Sequence, residues 1–249
     1  MDELHRWFRT QLGQAVVDAE CRFLSHRLTG IHARTILQIG SFGQGQRPAL
    51  FGNARQWLVD HDADGPLDVA GDCRELPFAS DSMDVVLLVH QLEFTPAPHD
   101  VLREVARIVS PEGWLINLGF NPYSFWGLRR ALARNVTDSP WRGRYVSRAR
   151  VEDWLRVLGL AIEHRDGLML RPPLRNRRQL ERLAPLERWG RHYARWLGGV
   201  HVTAARKHVA GVTPLSTVER PRLEVVPGGL AQARVRPAAR RRNITTERD

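Results

Sequence analysis

At 249 residues with two cysteines, Cys21 and Cys73, the chain is long enough to bury one sizeable α/β core and has no disulfide framework. No apolar run approaches the ~20 residues of a spanning helix. The opening Met1-Asp2-Glu3-Leu4-His5-Arg6 lacks the basic start and apolar stretch of a signal peptide, so a cytoplasmic protein is expected. The net charge of +10 is uneven: residues 1–128 carry 10 Arg against 16 acidic residues, and residues 129–205 carry 17 Arg against 7. Such a bias suits an anionic partner or a solvated arginine surface.

Leu4, Trp7, Phe8, Leu12, Ala15, Val16, Ala19 and Phe23 recur at helical spacing, which predicts one amphipathic helix over residues 3–28. Thr35-Ile36-Leu37-Gln38-Ile39 reads as a buried parallel strand running into the glycine-rich turn Gly40-Ser41-Phe42-Gly43-Gln44-Gly45. Arg55–Asp60 and Leu67–Ala70 are two further strand candidates, and Asp84–His90 is a β-branched, uninterrupted one. A helix with Val101, Leu102, Val105, Ala106 and Val109 on one face follows, then the strand Trp114–Leu118. Helical patterns recur at 124–135 and 147–158, with strands at Leu160–Glu163 and Val200–Ala205. Residues 176–197 read as a basic helical insert, and the chain from 212 to 249 as a basic disordered tail. Strands alternating with helices predict a mostly parallel sheet covered on both faces.

In such a sheet, ligands bind beyond the carboxyl ends of the strands, where glycines let backbone N–H groups approach closely. The Gly40 turn stands in that place, although a short glycine-rich turn alone can serve packing. Its context is more specific. Gly71-Asp72-Cys73-Arg74-Glu75-Leu76-Pro77-Phe78, Ser82-Met83-Asp84, His90-Gln91-Leu92-Glu93-Phe94, Leu102-Arg103-Glu104-Val105 and Pro111-Glu112-Gly113-Trp114-Leu115 follow in order. This series resembles the class I S-adenosylmethionine-dependent methyltransferases of the methyltransferase type 11 group. The resemblance is close over residues 34–120 and looser beyond.

That resemblance implies a Rossmann-like α/β fold and S-adenosylmethionine as cofactor. It places Gln38, Gly40, Phe42 and Gly43 at the methionine portion, Asp72 on the adenine amino group, and Cys73 as the backbone contact beside it. His90, Gln91 and Leu92 would flank the sulfonium, with His90 the candidate general base. Asp72 can also cap the turn that follows it, and His90 can equally be a satisfied strand-end histidine.

Three departures mark a worn cofactor site. Gln38 stands where the family carries an acid, and Phe42 where it carries glycine. The family also expects an acid at the end of the second strand for the ribose hydroxyls, where Asp60 and Asp62 are the candidates. The gap from Asp60 to Leu67 falls short of the dozen or so residues of a parallel crossover, and Asp64-Gly65 is a turn signal. A β-hairpin over 55–70 is therefore expected, which would carry both acids to the wrong sheet edge.

The expected organisation is an N-terminal amphipathic helix (1–30), a methyltransferase-like domain (31–211) and the tail (212–249). Within the domain, residues 124–196 would form a basic helical cap over the cofactor edge. Arg129, Arg130 and Arg134, and Arg188, Arg191 and Arg195, fall on helical spacing beside Tyr123, Phe125, Trp126, Trp189, Tyr193 and Trp196. The aromatics can wall an acceptor or pack the cap onto the sheet. Arginines beside aromatics suit a small anionic or amphipathic acceptor, and could also serve RNA. No Cys/His spacing suits a metal. Two functions fit: methyl transfer to a small-molecule acceptor, or a non-catalytic binding or regulatory module that keeps the fold.

Overall fold

The computed structural model describes residues 2–27, 30–42, 54–61, 67–132, 140–173 and 195–208. Helices α1 (Asp2–Phe8) and α2 (Gln11–Arg27) are followed by β1 (Thr35–Ile39), β2 (Arg55–Asp60), β3 (Val69–Ala70) and β4 (Met83–Val89). Then come α3 (Pro98–Ile108), β5 (Val109–Phe120), α4 (Phe125–Leu132), α5 (Arg148–Val157), β6 (Leu160–Leu168) and β7 (Val200–Lys207). A single 3-10 turn, Arg195–Leu197, precedes β7.

The strands form one seven-stranded sheet in the order β3-β2-β1-β4-β5-β7-β6. β1 to β5 are mutually parallel, and β7 runs antiparallel to both its neighbours, β5 and β6. Alternation along the strands feeds two cores. Val85, Leu87 and Val89 of β4 face α1 and α2, with Ile116, Leu118 and Phe120 of β5. Val86 and Leu88 face the other side, against Val101, Leu102, Val105 and Ile108 of α3 and Val151 and Leu155 of α5. Burial on both faces explains why β4 reads as continuous apolar sequence.

The expected hairpin over 55–70 is corrected. β2 is parallel to both neighbours, with Val59 beside Val69 and Asp60 beside Ala70. β3 is only two residues long and sits at the carboxyl end of β2. The chain therefore drops back by two residues rather than by a whole strand, and needs no helical crossover. Asp68 Oδ2 accepts the Leu58 N–H at 2.7 Å and ties the return to β2.

The single helix expected over 3–28 is two. Thr10 Oγ1 donates to Trp7 O at 2.7 Å, closing α1, and accepts Gly13 N–H at 3.2 Å, opening α2. A Cβ on Gly13 would lie 2.2 Å from Trp7 O, so the two helices meet this closely only over glycine. The expected strands at 160–163 and 200–205 extend to β6 and β7. The insert at 176–194 and the tail at 212–249 lie outside the described residues.

Candidate functional site at the carboxyl edge of the parallel strands

Because β1, β2 and β4 are parallel neighbours, the residues after each strand gather at one sheet edge. Gly40 leaves β1 with φ +91°, and its N–H donates to Val59 O at 2.9 Å. A Cβ there would lie 2.3 Å from Gln91 Nε2 and 2.6 Å from Val89 O, so the turn after β1 and the loop after β4 close on each other only over glycine. Gln38, buried in β1, donates from Nε2 to Gly40 O at 2.9 Å, so its amide braces the turn.

Asp60 ends β2 beside that turn, which overturns its expected place at the opposite edge. It is 1% exposed; Oδ2 accepts Ser41 N–H and Oδ1 accepts His61 N–H, each at 2.8 Å. His5 of α1 reaches in, with Nε2 3.1 Å from Asp60 Oδ2 but outside hydrogen-bond geometry. Asp62, Gly43, Gln44 and Gly45 lie outside the described residues.

Asp72 and Cys73 follow β3. Asp72 is held by its neighbour Arg74, whose Nε donates to both carboxylate oxygens at 3.0 and 2.9 Å and whose backbone N–H adds a bond at 2.9 Å. These bonds lower the carboxyl to about 2. Burial pushes the Cys73 thiol up to about 12, and it donates weakly to Gln91 Oε1 at 3.5 Å. Gln91 Nε2 is buried with no hydrogen-bond acceptor among the described residues.

Phe42 is fully buried against Phe8 of α1, with ring centroids 6.2 Å apart, where the family expects an open glycine. Leu92 is buried in the core on the α3 side. His90 is also fully buried, with φ +50°. Its Nε2 lies 2.9 Å from Glu20 Oε1, its Nδ1 3.3 Å from Glu93 Oε1, and its ring stacks on Phe120 at 4.1 Å. Burial alone would lower the His90 pKa, but Glu20 and Glu93 outweigh it and hold the ring as a cation up to about 9. Glu93 Oε1 also accepts Phe120 N–H at 2.6 Å and so ties the loop after β4 to the end of β5.

Sequence reasoning missed these carboxylates. Glu20 stands four residues from both Val16 and Leu24, both buried, so its acid lies on the apolar stripe of α2. That spacing was the available signal.

A second histidine, His201 at the start of β7, is buried and behaves oppositely. Burial lowers it to about 4, and its Nε2 is 3.1 Å from Val146 O. Linkage gives the two rings opposite signs. The folded pKa of His90 is raised, so its stabilisation is full below about 6.5 and lost as pH rises toward about 9. The folded pKa of His201 is depressed, so its contribution is full above about 6.5 and lost as pH falls toward about 4. Urea midpoints measured against pH should fall on both sides of near-neutral, and replacing His90 together with both its carboxylates (Glu20→Leu, His90→Leu, Glu93→Gln) should flatten the alkaline limb. An alkaline limb that survives in that variant refutes the assignment.

Of the cap expected over 124–196, only part lies within the described residues. Trp126 is fully buried and donates from Nε1 to Arg171 O at 3.0 Å, so it packs rather than walls an acceptor. Tyr123 and Phe125 are exposed. Arg129 and Arg130 do not offer a free cationic face. Arg129 lies over the Trp141 ring at 4.7 Å and bonds Pro173 O; Arg130 lies over Tyr145 at 5.2 Å and donates to Gly143 O at 2.7 Å. Among the described residues no group of His, Cys, Asp and Glu could hold a metal, and no helix is long and apolar enough to cross a membrane.

The sheet order, with one antiparallel strand inserted between the last two parallel positions, defines a Rossmann-like methyltransferase fold. A methyltransferase-domain family profile matches residues 48–117. The chain is 31% identical over 179 residues to the protein YafS of Escherichia coli K12, covering 68% of each. An S-adenosylmethionine-dependent methyltransferase of Thermotoga maritima superposes with TM-score 0.58 at 18% identity, covering 81% of this chain and 93% of that one. One from Archaeoglobus fulgidus gives TM-score 0.53 at 17% identity, covering 78% and 94%. The chain belongs to the class I S-adenosylmethionine-dependent methyltransferases, in the methyltransferase type 11 group.

Proposed function

We propose that this protein transfers the methyl group of S-adenosylmethionine to a small-molecule acceptor, using the edge formed by Gly40, Asp60, Asp72 and Gln91. The observation that carries this reading is the buried, unpaired Gln91 Nε2 over Gly40. An amide donor without an acceptor is unfavourable by about 1–3 kcal/mol, and an acceptor group arriving over the Gly40 backbone would satisfy it. The residues present therefore fit the cofactor.

Gly40 and Gln38 shape the turn for the methionine portion. Asp60 stands where the family reads ribose hydroxyls, already oriented by two backbone N–H groups. Asp72 and Cys73 would take the adenine and Gln91 the sulfonium, with Leu92 anchoring that loop in the core on the α3 side. S-Adenosylmethionine supplies an already activated methyl, so the chain's task is to align the acceptor and exclude water. Bound there, the cofactor would supply its methyl carbon to the acceptor atom and leave as S-adenosylhomocysteine, with the acceptor's proton passing to water. His90, with both nitrogens engaged and no exposed surface, holds the loops after β4 and β5 together as a buried cation.

A second reading, a non-catalytic module, is favoured by the buried Phe42, by His5 beside Asp60 and by Arg74 across Asp72. Thermal shift separates the two. S-Adenosylhomocysteine should raise the melting temperature, and Asp72→Ala should weaken its binding by about 1–3 kcal/mol without unfolding this partly exposed site. An unchanged affinity in Asp72→Ala would remove the adenine contact.

A further inference from the structure

A cavity of about 450 Å³ opens between the end of β5, the start of α5, and strands β6 and β7. Its walls include Tyr123, Arg148, Glu152, Arg165, Trp196 and His201. We propose that this cleft binds a planar aromatic molecule carrying one carboxylate or phosphate, and that this molecule is the methyl acceptor; the second part rests on the function proposed above.

Charge is the first support. Glu152 is buried and faces three guanidiniums: Arg165 at 2.8 Å, Arg156 at 3.0 Å and Arg148 at 3.7 Å. Two of these cations, Arg148 and Arg165, line the cleft with that one carboxylate, so its wall carries an excess of positive charge. Arg165 bonds Glu152 through Nε, which leaves its two terminal amino groups for an anion. The first turn of α5 points the same way. Ser147 caps it by accepting Arg150 N–H at 3.4 Å, and the N-terminus of this ten-residue helix adds a favourable field for an anion.

The aromatic part is the second support. Tyr123 and Trp196 are 71% and 59% exposed, a large apolar surface that no neighbour covers among the described residues. Their faces suit a ring, and an arginine beside them suits its charged substituent.

The third support is His201. It is 3% exposed, and its Nδ1 has no hydrogen-bond partner. Since Nε2 donates to Val146 O, Nδ1 is a bare lone pair that a ligand N–H or O–H can fill. His201 also ties the cleft to the cofactor edge. A Cβ on Gly119 would lie 2.9 Å from His201 Nε2 and 3.2 Å from Glu93 Oε1, so only a glycine separates the cleft wall from the loop after β4.

Calorimetric titration of the full chain with phenyl phosphate, phenol and inorganic phosphate tests the proposal, alongside S-adenosylhomocysteine. Phenyl phosphate should bind at least about tenfold tighter than either fragment, because ring and anion are held together. Arg148→Gln and Arg165→Gln should each loosen it by about tenfold, and Trp196→Ala by about fivefold. All three variants should keep wild-type affinity for S-adenosylhomocysteine, which also shows that they fold. Equal binding of the three compounds, or variants that bind phenyl phosphate as wild type does, overturns the cleft. Phenyl phosphate binding without S-adenosylhomocysteine binding keeps the cleft and overturns its role as acceptor site. Tighter, competitive binding of a single-stranded RNA overturns the small-molecule reading.

Discussion

Replacing Glu20 by alanine should destabilise the fold by about 3–5 kcal/mol, the range for breaking a buried ion pair from one side. Glu20, His90 and Glu93 are each at most 4% exposed, and one protonated ring serves both carboxylates. Without Glu20, a buried cation keeps only Glu93, and a space opens between α2 and the loop after β4. His90→Leu should be as damaging, because it leaves two buried carboxylates without their cation. A triple change, Glu20→Leu, His90→Leu and Glu93→Gln, should recover much of the loss, since apolar replacement of the whole cluster removes every uncompensated charge. Urea unfolding is the measurement. Single variants losing less than about 1 kcal/mol would place the cluster among ordinary neutral hydrogen bonds.

Gly40→Ala should act on fold and ligand together. The left-handed conformation disfavours an L side chain by roughly 1–2 kcal/mol, and the added carbon meets Val89 O, a strand backbone atom that cannot swing away. The total should be about 2–4 kcal/mol, with S-adenosylhomocysteine binding lost as the Gln91 loop is pushed off the turn. Gly30→Ala is the control: nothing lies within 4 Å of its Cβ position, so it should leave stability nearly unchanged. A Gly40→Ala protein that binds as wild type does would remove the turn from the cofactor site.

Much of this architecture was legible because local pattern and tertiary role agree. The apolar run of β4 read as a strand buried on both faces, and the ordered series from Asp72 to Leu118 placed β4, α3 and β5 of one fold. The second strand was misread because a rule for full-length parallel strands was applied to β3, which is two residues long. Its length depends on where pairing with β2 stops, and no local residue announces that. The break between α1 and α2 was foreshadowed by Thr10 and Gly13, but the apolar periodicity ran on through it. Arg129 and Arg130 looked like a cationic face because helical spacing says which side a residue is on, not that Trp141 and Tyr145 will fold beneath it. The site was half legible for the same reason. Gly40, Asp72 and Gln91 follow strands, whereas His5 reaches Asp60 and Glu20 reaches His90 from helices far back in the chain.

Whether this carboxyl edge binds S-adenosylmethionine is decided by calorimetric titration of the chain with that molecule. One site per chain should appear, with a dissociation constant between about 10 μM and 1 mM, weaker than a site with an open glycine in place of Phe42 would give. S-Adenosylhomocysteine should compete for the same site. No heat and no thermal stabilisation at millimolar ligand would mean a methyltransferase fold that has kept its sheet and lost its cofactor.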